Sequence, residues 1–83
     1  MSETAFRPLH VIADEITADW KNVYFGAVPY LAALRRLDTI SGHFYEDSAE
    51  DVVIYFLSNA TTWRGETARR IKAELREMLA SVK

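Results

Sequence analysis

The sequence predicts an all-α fold, a compact bundle of about four short helices formed by residues 1–83 as a single domain. Three observations carry this expectation. Apolar residues recur at three- and four-residue intervals in four separate stretches. Capping and breaking residues fall between those stretches. Strict alternation of apolar and polar residues, the mark of a half-buried strand, is absent. A length of 83 residues suits one small domain, and no repeat, linker or low-complexity stretch divides it.

The first helix is expected from Ala5 to Trp20. Ala5, Leu9, Ile12, Ala13, Ile16 and Trp20 share one helical face. Pro8 must then sit in the first turn, where its missing N–H costs nothing, and Thr4 is the candidate N-cap. The acids Asp14, Glu15 and Asp19 read as a solvated face. Trp20–Val28, WKNVYFGAV, is an unusually apolar connection. Pro29 fits the first turn of a second helix over Val28–Thr39, with Tyr30, Leu31, Leu34 and Leu37 on its apolar side. Ser41-Gly42 should end that helix, with Gly42 as a left-handed cap, and His43–Glu46 should form a short aromatic turn.

The third helix has the clearest start. Asp47 or Ser48 can act as N-cap, and either choice places an acid at the third helical position, Glu50 or Asp51. VVIYFL (Val52–Leu57) could serve alone as a buried strand, but these flanks decide for helix, with Val52, Val53, Phe56, Leu57 and Ala60 facing inward. The fourth helix is expected from Thr62 to Val82 with Thr61 as cap; a single bent helix over Ala49–Ala80 is the rival. Its seam is Ala68, Ile71, Leu75, Met78, Leu79 and Val82. Glu66, Arg70 and Glu74 would form i,i+4 pairs worth ~0.2–0.5 kcal/mol each. Gly65 marks either a boundary or a close backbone approach.

Composition narrows the function classes. A chain that is 49% hydrophobic and 27% charged is globular, not disordered. A net charge of −2 disfavours generic nucleic-acid binding. The absence of cysteine removes disulfides, thiolate metal sites and cysteine nucleophiles. No apolar run approaches the ~20 residues of a membrane span. The N-terminal MSETAFRPLH lacks the basic and apolar regions of a signal peptide, so a cytoplasmic protein is expected. A domain this small buries roughly 60–65% of its unfolded surface, which leaves pairing with a second copy open.

No catalytic set is visible. There is no phosphate-binding glycine loop, HExxH, GxSxG or EF-hand pattern. His10 and His43 lie in different elements without a paired motif. Glu46, Asp47, Glu50 and Asp51 read as helix capping, not as a metal site. No enzyme activity, metal or cofactor is therefore expected. Two features suit a partner instead. The loop residues Lys21, Asn22, Tyr24 and Phe25 combine charge and aromatic character, as binding hot spots do, although Tyr24 and Phe25 could also plug the end of the bundle. The segment from Trp63 onward is basic, at +3 against −5 for the rest. Its Trp63, Arg64, Arg69 and Arg70 could contact an acidic partner, mimic a DNA-reading helix, or pair within the molecule.

Two blocks add context. ADWKNVYFGAVPYLAAL (Ala18–Leu34) and YFLSNATTWRGETARRIKAEL (Tyr55–Leu75), with DSAEDVV between them, resemble a family of short helical proteins of actinobacterial phages, mycobacteriophages above all, and of mobile elements in other Gram-positive bacteria. The resemblance runs from about Phe6 to Leu79. It implies a bacteriophage or mobile-element accessory protein acting in the bacterial host's cytoplasm by binding a host or phage protein. It brings no catalytic residues with it.

Overall fold

The computed structural model describes residues 6–82. Thr4 and Ala5, the expected start of the first helix, lie outside the described residues. Among the described residues there are four α-helices: α1 (Leu9–Asp19), α2 (Val28–Leu34), α3 (Ala49–Ser58) and α4 (Glu66–Ser81). A 3₁₀ turn, Phe25–Ala27, leads into α2. The fold is mostly helical but not purely so. A small antiparallel hairpin of β1 (His43–Phe44) and β2 (Asp47–Ser48) lies between α2 and α3, paired His43 to Ser48 and Phe44 to Asp47. No helix among the described residues is long and apolar enough to cross a membrane.

The main helix contacts run α1–α2, α2–α3, α3–α4 and α4–α1, a closed ring around one core. The periodic apolar faces supply that core. Leu9, Ile12, Ala13 and Ile16 come from α1; Leu31 and Leu34 from α2; Val52, Val53 and Phe56 from α3; Ile71, Leu75 and Met78 from α4. No charged or polar residue is buried among the described residues, so the interior is held by apolar burial.

Several helix ends differ from the sequence expectation, each for a tertiary reason. α1 begins at Leu9 with Pro8 just outside it, and no side chain caps it. Its first amides are satisfied from across the molecule: Leu9 N donates to the Asp38 carbonyl at 2.8 Å and His10 N to the Leu37 carbonyl at 3.0 Å. For those carbonyls to face α1, the chain must leave the helical path before Leu37. α2 accordingly ends at Leu34, not Thr39, and Arg36 and Leu37 continue in tighter turns.

Gly42 is not the left-handed residue expected there. It closes a turn, its amide bonded to the Thr39 carbonyl at 3.0 Å, and its carbonyl accepts from Ala49 N at 2.8 Å. Positive φ falls instead on Tyr45, at 56°, in the two-residue turn of the hairpin. Ser48 is the N-cap of α3, its hydroxyl accepting from Asp51 N at 3.1 Å. α4 starts at Glu66, not Thr62. Gly65 is its N-cap at φ 116° and ψ −177°, a region open essentially to glycine alone. A Cβ there would meet nothing within 4 Å, so the glycine serves the backbone turn and not a close approach.

Candidate functional site

Trp20 and Trp63 organise one end of the ring. Their indoles stack with centroids 5.7 Å apart and planes 12° from parallel. Phe56 meets both edge-on, at 6.2 and 6.3 Å. The Trp63 indole N–H donates to Asp19 Oδ2 at 2.8 Å, so the polar edge of this buried ring is satisfied. Trp63 is 2% exposed. It belongs to the core, and its ring is not offered to a partner.

The loop that follows Trp20 is the reverse case. Lys21 and Asn22 are exposed. Tyr24 is 44% and Phe25 78% exposed, and their rings touch at 4.8 Å. The backbone beneath them is fixed by the 3₁₀ turn, in which Ala27 N donates to the Tyr24 carbonyl at 2.8 Å and Ala27 is fully buried. Gly26 lets the Tyr24 ring fold back over the turn: a Cβ at Gly26 would stand 2.6 Å from Tyr24 Cε2 and 2.7 Å from Asn59 Oδ1. The same Asn59 donates from Nδ2 to the Tyr55 carbonyl at 2.8 Å. Tyr55 in turn lies against Tyr30, centroids 5.5 Å apart.

The aromatic loop is therefore continuous with the end of α3. Sequence reasoning missed this extension. The signal was present in VVIYFL: Ile54 and Tyr55 fall off the Val52–Val53–Phe56 face and must point outward. Val28, half exposed, adds to the loop side, where a shallow apolar recess of about 280 Å³ is lined by Val23, Val28, Leu31 and Ala32 with Thr17 and Arg35.

The cations Arg64, Arg69, Arg70 and Lys72, in α4 and just before it, divide into two sets. Arg70 pairs with Glu15 on α1. Glu15 also accepts from Arg7 at 2.9 Å, and Arg7 holds Glu74 through two hydrogen bonds of 2.8 and 3.0 Å. Glu15 and Glu74 are thus spent across the α1–α4 seam, and the expected Glu66–Arg70–Glu74 ladder does not form. The hydrogen bonds from Arg70 and Arg7 hold the Glu15 carboxyl below its ordinary range. Of the acids read from sequence as a solvated face, Asp14 and Asp19 are exposed and Glu15 is partly so, and Glu15 and Asp19 serve in addition as structural acceptors.

Arg64 and Arg69 are exposed and make no ion pair among the described residues. Lys72 lies beneath them, its Nζ donating to the Trp63 carbonyl at 2.6 Å and standing 5.8 Å over the Trp63 ring. Burial, then Arg76 and Arg64, push the Lys72 ammonium below its ordinary pKa.

His10 Nε2 lies 3.4 Å from Asp38 Oδ1 at the surface, and His43 is exposed on β1. Among the described residues no three His, Cys, Asp or Glu converge as metal ligands. Of the eight residues singled out from sequence, the structure keeps Lys21, Asn22, Tyr24 and Phe25 on one loop. It leaves Arg64 and Arg69 free near the start of α4, commits Arg70 to Glu15, and buries Trp63. Comparison with protein-family models, with curated proteins and with solved structures found no match.

Proposed function

We propose that this protein is a small, non-catalytic interaction module that docks on another protein through the aromatic loop and the adjoining end of α3. The observation that carries the reading is the exposure of Phe25, at 78%, on a turn whose backbone is fixed by the core beneath it. A large apolar side chain held outward on a rigid turn is pre-organised for a pocket, and little ordering entropy is lost when it docks. Tyr24, Tyr55 and Ile54, each 44–47% exposed, extend the apolar area. Lys21 gives the loop a positive rim, which suits a partner whose pocket has an acidic edge. With the family resemblance, the partner is a host or phage protein in the bacterial cytoplasm.

Affinity capture from an actinobacterial lysate, read by mass spectrometry, tests this reading. Tyr24→Ala/Phe25→Ala is captured alongside, after circular dichroism shows it folded. One dominant protein held by the native chain and lost from the variant is the expected result. The same protein held equally by the folded variant overturns the loop as docking site.

Self-association is a second reading, favoured by the apolar recess at Val23, Val28, Leu31 and Ala32, two of which bracket the Phe25 turn in sequence. A patch holding both a projecting ring and a hollow can pair with its own copy about a two-fold axis. A monomeric mass at high micromolar concentration removes it. DNA binding through α4 has less support, because Arg70 is engaged by Glu15 and the chain is acidic overall.

A further inference from the structure

We infer that the recess formed by Arg64, Arg69 and Lys72 at the α3–α4 junction is a binding site for a phosphate-type oxyanion. The recess has a volume of about 280 Å³ and is lined by Trp63, Arg64, Gly65, Ala68, Arg69 and Lys72. Three of those six residues are cations and none is an acid. On the opposite side of α4, Arg70 is answered by Glu15; here Arg64 and Arg69 have no carboxylate partner among the described residues. Positive charge collected without counter-charge in a hollow is the arrangement that attracts an anion.

The floor of the site is built, not incidental. Lys72 is partly buried and tethered by one hydrogen bond to the Trp63 carbonyl, with its ammonium over the indole. An ammonium carries three donors, so two remain for a ligand. Burial is the main cause that lowers the Lys72 pKa, and the nearby charges of Arg76 and Arg64 lower it further. Gly65 and Ala68, which also line the recess, carry small side chains or none. Two guanidiniums at the rim can each present paired N–H donors to tetrahedral oxygens, and the ammonium contributes a point charge from below. That donor set fits a phosphate dianion better than a planar carboxylate, which offers only two oxygens.

Arg64 also borders an adjoining recess with Lys21 and Asn22 of the loop, but Tyr24 and Phe25 line neither recess, so failure of this site and failure of the docking reading are separable through those two aromatics. The test is a titration of the full chain with sodium phosphate at constant ionic strength, followed by amide and indole NMR shifts. Saturable shifts confined to Trp63–Lys72 are expected. They should weaken by about tenfold or more in Arg64→Ala/Arg69→Ala, both surface positions, and persist in Arg36→Ala, an exposed arginine that does not line the recess.

A parallel titration with phosphoserine separates the two sources of this chemistry. Tighter binding of phosphoserine assigns the site to a phosphorylated side chain, and equal binding assigns it to the free anion. Shifts that grow linearly without saturating, or that are identical in the Arg36 and Arg64/Arg69 variants, overturn the proposal. So does binding of duplex DNA with steep salt dependence where phosphate itself produces no saturable shift.

Discussion

Trp20 and Phe25 are five residues apart and both aromatic, yet one is in the core and the other in solvent. Trp20 closes α1 on its apolar face, where Trp63 and Phe56 complete a buried cluster. Phe25 stands on a turn whose inward position is already filled by Ala27. The same contrast divides the charges of α4 and of the turn that leads into it. Arg70 and Glu74 are matched to Glu15 and Arg7 across the helix seam, while Arg64, Arg69 and Lys72 collect at the α3–α4 junction without acids. The molecule thus has two kinds of group: on the partnered side of this contrast, aromatic rings and charges are consumed by the fold itself, and on its open side they remain available. Stability should depend on the first and binding on the second.

The largest effect should come from the buried cluster. Trp63→Ala removes the ring stacked on Trp20, breaks the hydrogen bond to Asp19 and deprives Lys72 of its indole. Loss of about 3–5 kcal/mol is expected, a large share of the stability of a domain this small. Urea denaturation followed by far-UV circular dichroism measures it. A loss under 1 kcal/mol would show that the cluster is not what joins α1 to the α3–α4 junction.

Gly65→Ala comes next. The backbone at φ 116° and ψ −177° is one that alanine resists, and no steric contact accompanies the change because the space around a Cβ is empty. A cost of about 1–3 kcal/mol from backbone conformation alone is expected. Thermal denaturation with an unchanged helical spectrum would confirm that the start of α4, not its packing, has been strained. An unaltered midpoint would mean that the chain can enter α4 by another path.

Glu15→Gln tests the partnered charges, and its effect depends on pH. The folded carboxyl is held below its ordinary value of 4.5 by Arg70 and Arg7. A depressed carboxylate contributes stability that is present above the unfolded pKa and lost as pH falls through the folded one. The pairs are partly exposed, so the contribution at neutral pH should be ~1 kcal/mol or less. Melting temperatures of both proteins should therefore differ at neutral pH and converge below about pH 4.5. A gap that is constant across this range would assign the difference to side-chain packing instead of charge.

How far the partnered side can be read from sequence depends on the range of the interactions. The four helices, the apolar faces apart from the exposed Val82, and a cap at Asp47 or Ser48 follow from local spacing, because a periodic face and a cap each need only a few neighbouring residues. The Gly65 boundary is also a local signal, one of two meanings a mid-pattern glycine can have. The early end of α2 is not local, since it is dictated by the amides of Leu9 and His10 reaching Leu37 and Asp38. Nor is the Arg7–Glu74 pair, 67 positions apart, or the stacking of Trp63, which lies between two helices and belongs to neither periodic face. The open side is legible as composition, as an aromatic loop and a basic segment. Which members stay free is settled by these long-range partners: they remove Trp63 and Arg70 and leave Tyr24, Phe25, Arg64 and Arg69.

The smallest effect sharpens the contrast most, because it compares one deletion at two places. Phe56→Ala removes a ring that is fully buried against the edges of the Trp20–Trp63 stack, and should cost about 3–5 kcal/mol. Phe25→Ala removes the same atoms from a ring that is 78% exposed. Little apolar area returns to water, no cavity forms, and the Tyr24 ring beside it keeps its place over Gly26. The change in unfolding free energy should lie within about 0.5 kcal/mol of zero. Paired denaturation curves read both values. A loss at Phe25 approaching that at Phe56 would mean that the loop plugs the end of the helical ring and is part of the core after all. A negligible loss there, with capture of a partner abolished, separates what holds this molecule together from what it presents to others.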